Sequence, residues 1–386
     1  MNEPRPFLIV AADLVKTGGM DRANYALAEL LARQGQSVHL VAHGVGEGLL
    51  RHSNVTWHRV PRPLGHDALG WTLLRRAGQR WARSIAAGQG RVLVNGGNCS
   101  WPDLNWVHYV HAAYASPLAG GALRQAWQAR KHRRALADER RALGVARLVI
   151  ANSERTRRDL LERLALPPER VRVVYYGSDP EHFPLITPAA RAAACAELGW
   201  PLDRRRALFL GALGDRRKGF DTAFAAWQRL CLRPDWDLDL IVAGRGAELE
   251  SWRRRVQRAG LPARIQILGF RRDVPRLLAA SDLLLAPTRY EAYGLGVHEA
   301  LTRGLPALVS ADAGVAERLP DGLSGLLLRK PDAGDAAVEL AERLLWWRER
   351  AADLAPALAQ LAAHLRAWTW DDMAARILEL AGAARP

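Results

Sequence analysis

Two glutamates, Glu291 and Glu299, flank a glycine-bearing turn in the stretch Glu291-Ala292-Tyr293-Gly294-Leu295-Gly296-Val297-His298-Glu299-Ala300-Leu301, directly after the apolar run 282–287. A strand, a loop with two glycines and a helix ending near Gly304 would leave the N–H groups of Gly294, Leu295 and Gly296 at a helix N-terminus. That is a seat for phosphate. Glu291 on the loop and Glu299 in about the second turn would approach one ligand at different depths, and a carboxylate accepts paired hydroxyls well, which suggests sugar or ribose. The same spacing also fits an ordinary cap and a solvated helix residue.

A second cluster, Gly211-Ala212-Leu213-Gly214-Asp215-Arg216-Arg217-Lys218-Gly219-Phe220, follows the apolar run 207–210. Cations at the carboxyl end of a parallel strand can neutralise a diphosphate. Lys218 stands out because only four of the 55 basic residues are lysines, the others being Lys16, Lys131 and Lys330. A third signal, Lys16-Thr17-Gly18-Gly19-Met20, puts glycines where backbone can approach a ligand closely. Alone it is no more than a tight turn.

These loops need a scaffold, and the chain supplies one rhythm twice. Short β-branched or leucine-rich runs alternate with amphipathic helical windows, the signature of parallel-sheet units. Strands are expected at 6–12, 37–43, 91–96, 105–111, 146–152 and 170–176, then at 206–211, 238–243, 264–269, 282–287, 306–311 and 325–329. Ala23, Leu27, Leu30 and Leu31 share one face of a first helix, and Gly35 stands where its cap belongs. The prolines at 180, 184, 188 and 201 break the rhythm. The expected organisation is an α/β chain of two doubly wound, Rossmann-like domains facing a central cleft: 1–179, a linker at 180–201, and 202–365. A last helix within about 366–386 would pack back on the first domain. Ligands of such sheets bind beyond the carboxyl ends of the strands.

The 386 residues suit two domains, and hydrophobic and charged fractions of 49% and 25% suit a globular protein. Cys99, Cys195 and Cys231 form neither a disulfide framework nor a CxxC metal motif, which fits a reducing, cytoplasmic setting. The apolar run 7–12 is too short for a signal segment, and no apolar stretch of membrane-spanning length follows. The net charge of +15 points to anionic partners or to an arginine-rich coding bias.

Three motifs mislead. Asp235-Trp236-Asp237 has the DxD form of a metal-binding motif, but it runs straight into the strand at 240–242. His108 and His111, read as strand residues three apart, would face opposite ways and could not share a metal. Gly244-Arg245-Gly246 lacks the third glycine of a dinucleotide fingerprint.

Taken in order, the Gly18-Gly19 loop, His111, Asn152-Ser153-Glu154, Tyr176-Gly177-Ser178-Asp179 with Phe183, Arg217-Lys218-Gly219, and Glu291 with Glu299 resemble a retaining GT-B glycosyltransferase of family-4 type. Gly269, Gly304-Leu305-Pro306 and Ala313-Gly314-Val315-Ala316-Glu317 extend the match. The resemblance implies that Arg217 and Lys218 hold the diphosphate of a UDP- or GDP-type sugar donor, that Glu299 binds the ribose, and that Glu291 meets the transferred sugar beside the amides of 294–296. It implies further that Gly18 and Gly19 approach the donor and that His111 points at the sugar. Donor-dependent transfer to a hydroxyl acceptor, a glycan or glycolipid, would need no metal or other cofactor. Ala212 departs from the pattern, since relatives often carry an arginine there, and Arg216 or Arg217 would have to replace its charge. Tyr176 stands for a common asparagine. A GT-B-like epimerase or phosphorylase is the alternative among enzymes. A nucleic-acid-binding protein is the alternative outside them, although no interleaved aromatic and basic motif supports it.

One window is left over. Between Leu123 and Arg147 eight basic residues face two acidic ones, with Arg133, Arg140 and Arg147 recurring every seven. Trp127, Arg133, Arg134, Arg140 and Arg141 would dock the first domain on an anionic surface at the inner face of a membrane. An ordinary solvated helix explains the same composition.

Overall fold

In the computed structural model, which describes residues 5–16, 18–63, 67–117, 121–329 and 334–383, the chain divides into two units. Thr17 of the glycine loop and Lys330 lie outside the described residues. The first unit takes Met1–Gly177 and Thr369–Pro386, the second Ser178–Trp368.

Strands such as Phe7-Leu8-Ile9-Val10 and Leu148-Val149-Ile150-Ala151 are apolar on both faces and buried throughout, as strands covered by helices on both sides must be. In the first unit β1 (Phe7–Val10), β2 (Val38–Ala42), β3 (Val55–Arg59), β4 (Arg91–Asn95), β5 (Leu104–Val107), β6 (Leu148–Ala151) and β7 (Val171–Val173) form one parallel sheet in the order β3-β2-β1-β4-β5-β6-β7. Its helices are α1 (Gly19–Arg33), α2 (Glu47–Leu50), α3 (Asp67–Ala87), α4 (Ala122–Val145) and α5 (Glu154–Leu164). Gly35 follows α1 at φ 75°, a left-handed conformation that only glycine adopts without strain. Ser153 caps α5 by accepting the Thr156 N–H at 2.9 Å.

The second unit opens with α6 (Pro188–Leu198). It then alternates β8 (Arg205–Leu210), α7 (Phe220–Leu230), β9 (Leu238–Ala243), α8 (Leu249–Arg258), β10 (Ile265–Gly269), α9 (Val274–Ala279), β11 (Leu283–Ala286), α10 (Leu295–Leu301), β12 (Ala307–Ser310), β13 (Leu327–Leu328) and α11 (Ala336–Arg366). The sheet order β10-β9-β8-β11-β12-β13 reverses direction at β8 and β11, so the loops after these two strands flank a topological switch point. The final helix, α12 (Trp370–Ala383), belongs to the first unit and lies on α1, where Arg33 pairs with Asp371 at 2.5 Å.

Three expectations need correction, and one strand had no expectation at all. Residues 180–201 are not a linker, because they lie in the second unit and contain α6: Thr187 caps this helix by accepting the Ala190 N–H, and Pro188 is its first residue, a position where proline costs no hydrogen bond. The strand expected at 105–111 stops at Val107, and His111 begins a short 3-10 turn. Strand β3 was not anticipated: Val55-Thr56-Trp57-His58-Arg59 is a half-exposed edge strand with no apolar run to mark it. Arg147 leaves the seven-residue stripe, since α4 ends at Val145 and the Arg147 guanidinium pairs with Asp103 at 2.8 Å.

Candidate active site

In the second unit the loops after β8 and β11 are built against each other. Gly219 adopts φ 73°, and a Cβ there would lie 1.9 Å from the Pro287 carbonyl oxygen, so only glycine lets the two loops close up. Asp215 organises the turn 216–218 by accepting the Arg217 N–H at 3.1 Å and the Arg217 guanidinium on Oδ2. Arg289 ties the turn to the β11 loop: its N–H donates to the Arg217 carbonyl, its guanidinium donates to the Arg216 carbonyl, and it pairs with Asp221 at 2.8 Å. Arg216 is exposed, as is Ala212.

This packing brings two predicted residues into contact. Lys218 Nζ lies 2.6 Å from Glu291 Oε2, both side chains being largely shielded from solvent. Three residues on, Gly294 takes φ 107° as the N-cap of α10. The N–H groups of Gly294, Leu295 and Gly296 have no protein acceptor among the described residues. Helix α10 is only seven residues long, so the seat rests on these amides more than on a macrodipole. Glu299 is half-buried on α10, and its charge acts on the buried Arg303.

Sequence reasoning did not single out Phe270, and named Arg245 only within the Gly244-Arg245-Gly246 motif. Phe270 is 57% exposed just past β10, with the Arg245 guanidinium 5.1 Å from its ring centroid. The run of one large aromatic after Gly269 was the available signal. Gly244 and Gly246 are packing glycines, since a Cβ on either would come within 1.8 Å of the Gly211 or Leu213 carbonyl oxygen. Of the DxD-like residues, Asp235 is held by Arg233 and Arg348, and Asp237 lies 3.6 Å from Arg348. Among the described residues no three His, Cys, Asp or Glu side chains gather as metal ligands would.

In the first unit Gly18 caps α1 at φ 85°, which explains one glycine of the loop, and Gly19 is the first helical residue. His111 begins its turn after β5, its ring edge-on to Tyr109. Burial, with His132 and Lys131 nearby, pushes His111 down to about 4, leaving a neutral imidazole at physiological pH. The turn is clasped by a residue the sequence did not single out. Glu139 of α4 is buried, and its two oxygens accept the N–H groups of His111 and Ala112 at 2.8 and 3.0 Å. Burial raises its carboxyl to about 7, against the lowering effect of those two hydrogen bonds. An acid between Asp138 and Arg140 was its only mark in the sequence.

The opposite face of α4 is open. Leu123 and Trp127 are 90% and 59% exposed, and Arg133, Arg134, Arg140 and Arg141 are also exposed. Arg134 and Arg141 share Asp138 with Arg75, and Arg134 also donates to Thr72.

A comparison with known families decides what this arrangement belongs to. The model for "Glycosyltransferase Family 4" matches residues 17–182, and that for "Glycosyl transferases group 1" matches 191–358. The chain belongs to the GT-B glycosyltransferases of family-4 type. Among curated relatives, D-inositol 3-phosphate glycosyltransferase of Thermobispora bispora is 31% identical over 255 residues, 63% of this chain and 57% of the relative. Alpha-D-kanosaminyltransferase of Streptomyces kanamyceticus is 30% identical over 213 residues, covering 54% and 53%. The chain thus spans about half the length of the curated relatives it matches. Among solved structures, WaaG, a glycosyltransferase involved in lipopolysaccharide biosynthesis, superposes with a TM-score of 0.76 at 20% identity, covering 96% of this chain and 99% of that one. HepE of Anabaena, solved with UDP and glucose, gives 0.70 at 18% identity over 98% and 100%. These two likenesses establish the shared fold.

Proposed function

We propose that this glycosyltransferase moves a sugar from a nucleoside diphosphate donor to a hydroxyl acceptor, with retention at the anomeric carbon and without a metal ion. The observation that carries the reading is the Lys218–Glu291 pair at 2.6 Å, three residues before a turn whose amides await an acceptor. A diphosphate entering there would take Lys218 and the amides of Gly294, Leu295 and Gly296, releasing Glu291 to the hydroxyls of the sugar. Negative charge gathers on the leaving phosphate as the anomeric bond breaks, and preorganised donors oppose it in a site that excludes water. Arg217, already facing Asp215, adds weaker support. The departing phosphate takes the acceptor proton, and Glu291 orients the sugar. Glu299 takes the ribose, and Phe270 offers a flat face for the base.

The acceptor belongs to the first unit, with neutral His111 contacting the sugar and Gly18 and Gly19 near the donor. Relatives named for D-inositol 3-phosphate support a hydroxyl-rich acceptor. The exposed basic face of α4 with Trp127 supports docking on an anionic surface at the inner face of a membrane, where a glycolipid or envelope glycan precursor would be met.

The test is transfer from a panel of UDP- and GDP-sugars to polyol and glycolipid acceptors, with the product anomer read by NMR and a chelator present throughout. The expected result is an axial or equatorial linkage matching the donor, unaffected by EDTA. Inversion, rescue by magnesium or manganese, or epimerised free nucleotide sugar would each overturn part of the reading.

A further inference from the structure

The donor loop has a buried tether whose direction the hydrogen bonds determine. The Ser178 hydroxyl donates its only proton to the Leu365 carbonyl at 2.7 Å, so toward His298 Nε2, at 2.9 Å, it must accept. His298 is therefore the Nε2–H tautomer, and its Nδ1 lone pair receives the Tyr293 O–H at 2.8 Å. Tyr293, His298 and Ser178 are each buried. The chain of donors thus runs one way, from Tyr293 between Glu291 and Gly294, through α10, to the last turn of α11.

The far end of this chain is a particular place. Ser178 and Trp368 are the residues at which the polypeptide enters and leaves the second unit, and the Ser178 N–H donates to the Trp368 carbonyl at 2.8 Å. Other bonds fasten α10 to the same passage. Arg366 reaches the carbonyls of Phe183 and Thr302, and Arg303 reaches that of Pro184 while its own carbonyl accepts the Ile186 N–H. The loop's carbonyls are in turn fixed by the Gly314 and Val315 N–H groups.

We infer that His298 is a positioning residue: through Tyr293 and Ser178 it sets the Glu291–Gly296 loop by the position of the paired passages at 178 and 368. A shift of those passages is then transmitted to the loop that, on the function proposed above, cradles the donor phosphates. The hydroxyls and the imidazole do not touch substrate. Their effect is on how often the loop holds its donor-competent form, and the apparent affinity for the nucleotide falls with that population.

The test compares Ser178→Ala, Tyr293→Phe and the double variant, with Ser178→Thr as a hydroxyl-keeping control in case the alanine does not fold. Hydrogen exchange of the 291–296 segment, measured without ligand, should rise several-fold in each single variant and no further in the double, while β8 and β9 stay protected. Ser178→Thr should hold exchange at the wild-type level. The single variants should weaken binding of UDP or GDP several-fold, in step with the rise in exchange, and lower kcat/KM at least as much. Unchanged exchange at 291–296, additive effects in the double variant, or raised exchange with an unchanged nucleotide Kd would overturn the inference. Raised exchange in a chain that transfers no sugar would instead overturn the proposed function and leave the tether standing.

Discussion

The carboxyl edges of the two sheets are prepared in opposite ways. In the second unit the functional groups are charged and already paired within the site: Lys218 with Glu291, Arg217 with Asp215, Arg289 with Asp221. In the first unit the group at the edge is a neutral imidazole, His111, whose turn is held from behind by Glu139, while the positive charge of α4 is turned outward. On the function proposed above, one edge would receive an anion by exchanging partners and the other would present an uncharged ring. The difference suits a donor of fixed chemistry on one side and an acceptor of variable chemistry on the other.

The sharpest way to break this contrast is at Lys218. If the second unit opposes charge on a leaving phosphate, Lys218→Ala should lower turnover by roughly a hundredfold or more, the scale of one preorganised electrostatic contact. A folded variant with near-wild-type turnover would remove the charged half of the comparison.

In the first unit the corresponding change is Glu139→Ala, which leaves two buried N–H groups without an acceptor and should cost about 1–3 kcal/mol. The pH dependence separates clasp from bulk. A carboxyl raised from 4.5 to about 7 contributes stability that is full below about 4.5 and is lost as pH rises through about 7. His111, lowered to about 4, acts in the other sense, losing its contribution as pH falls toward 4. Melting curves of wild type and Glu139→Gln should therefore differ most in slope between about pH 5 and 7, the wild type falling faster. Parallel curves would mean that Glu139 is not held as the geometry indicates.

Within the second unit the two carboxylates sharpen the account by several-fold effects. Glu299→Gln should weaken bare nucleotide, whereas Glu291→Gln should spare it and reduce binding and turnover of the nucleotide sugar. Calorimetry that finds equal losses for both ligands in both variants would refute the division of roles.

The smallest effect is expected at α4. Each basic group near an anionic surface is worth about 1 kcal/mol, but Asp138 already engages Arg134 and Arg141. Replacing Arg133, Arg134, Arg140 and Arg141 by glutamine should cut co-sedimentation with anionic liposomes by about tenfold or less, and salt should weaken what remains. Equal sedimentation with neutral liposomes would return the +15 charge to a coding bias.

The same contrast governs what could be read in advance. Lys218, Glu291 and the 294–296 turn were legible because each sits in a short motif beside an apolar strand, so sequence neighbours are also spatial neighbours. Glu139 was not, because its partners His111 and Ala112 lie 28 and 27 residues away, and one of two adjacent acids in an arginine-rich window resembles a solvated helix residue. Buried strands announced themselves by apolar runs. Strand β3 did not, since an edge strand exposes half its residues. Prolines misled at 180–201: Pro188 starts a helix there as readily as it would have interrupted one. The directed chain from Tyr293 to Leu365 joins residues from three distant segments, and no local pattern encodes it.

The account stands or falls on whether the second unit receives a nucleoside diphosphate through Lys218 and the open amides. Titration calorimetry of UDP and GDP, each with and without an attached sugar, into wild type and Lys218→Ala addresses this directly. Binding of at least one nucleotide to wild type, weakened tenfold or more in the variant without loss of fold, is the expected result. No binding of any of them to folded wild type, or equal binding to both proteins, would contradict it.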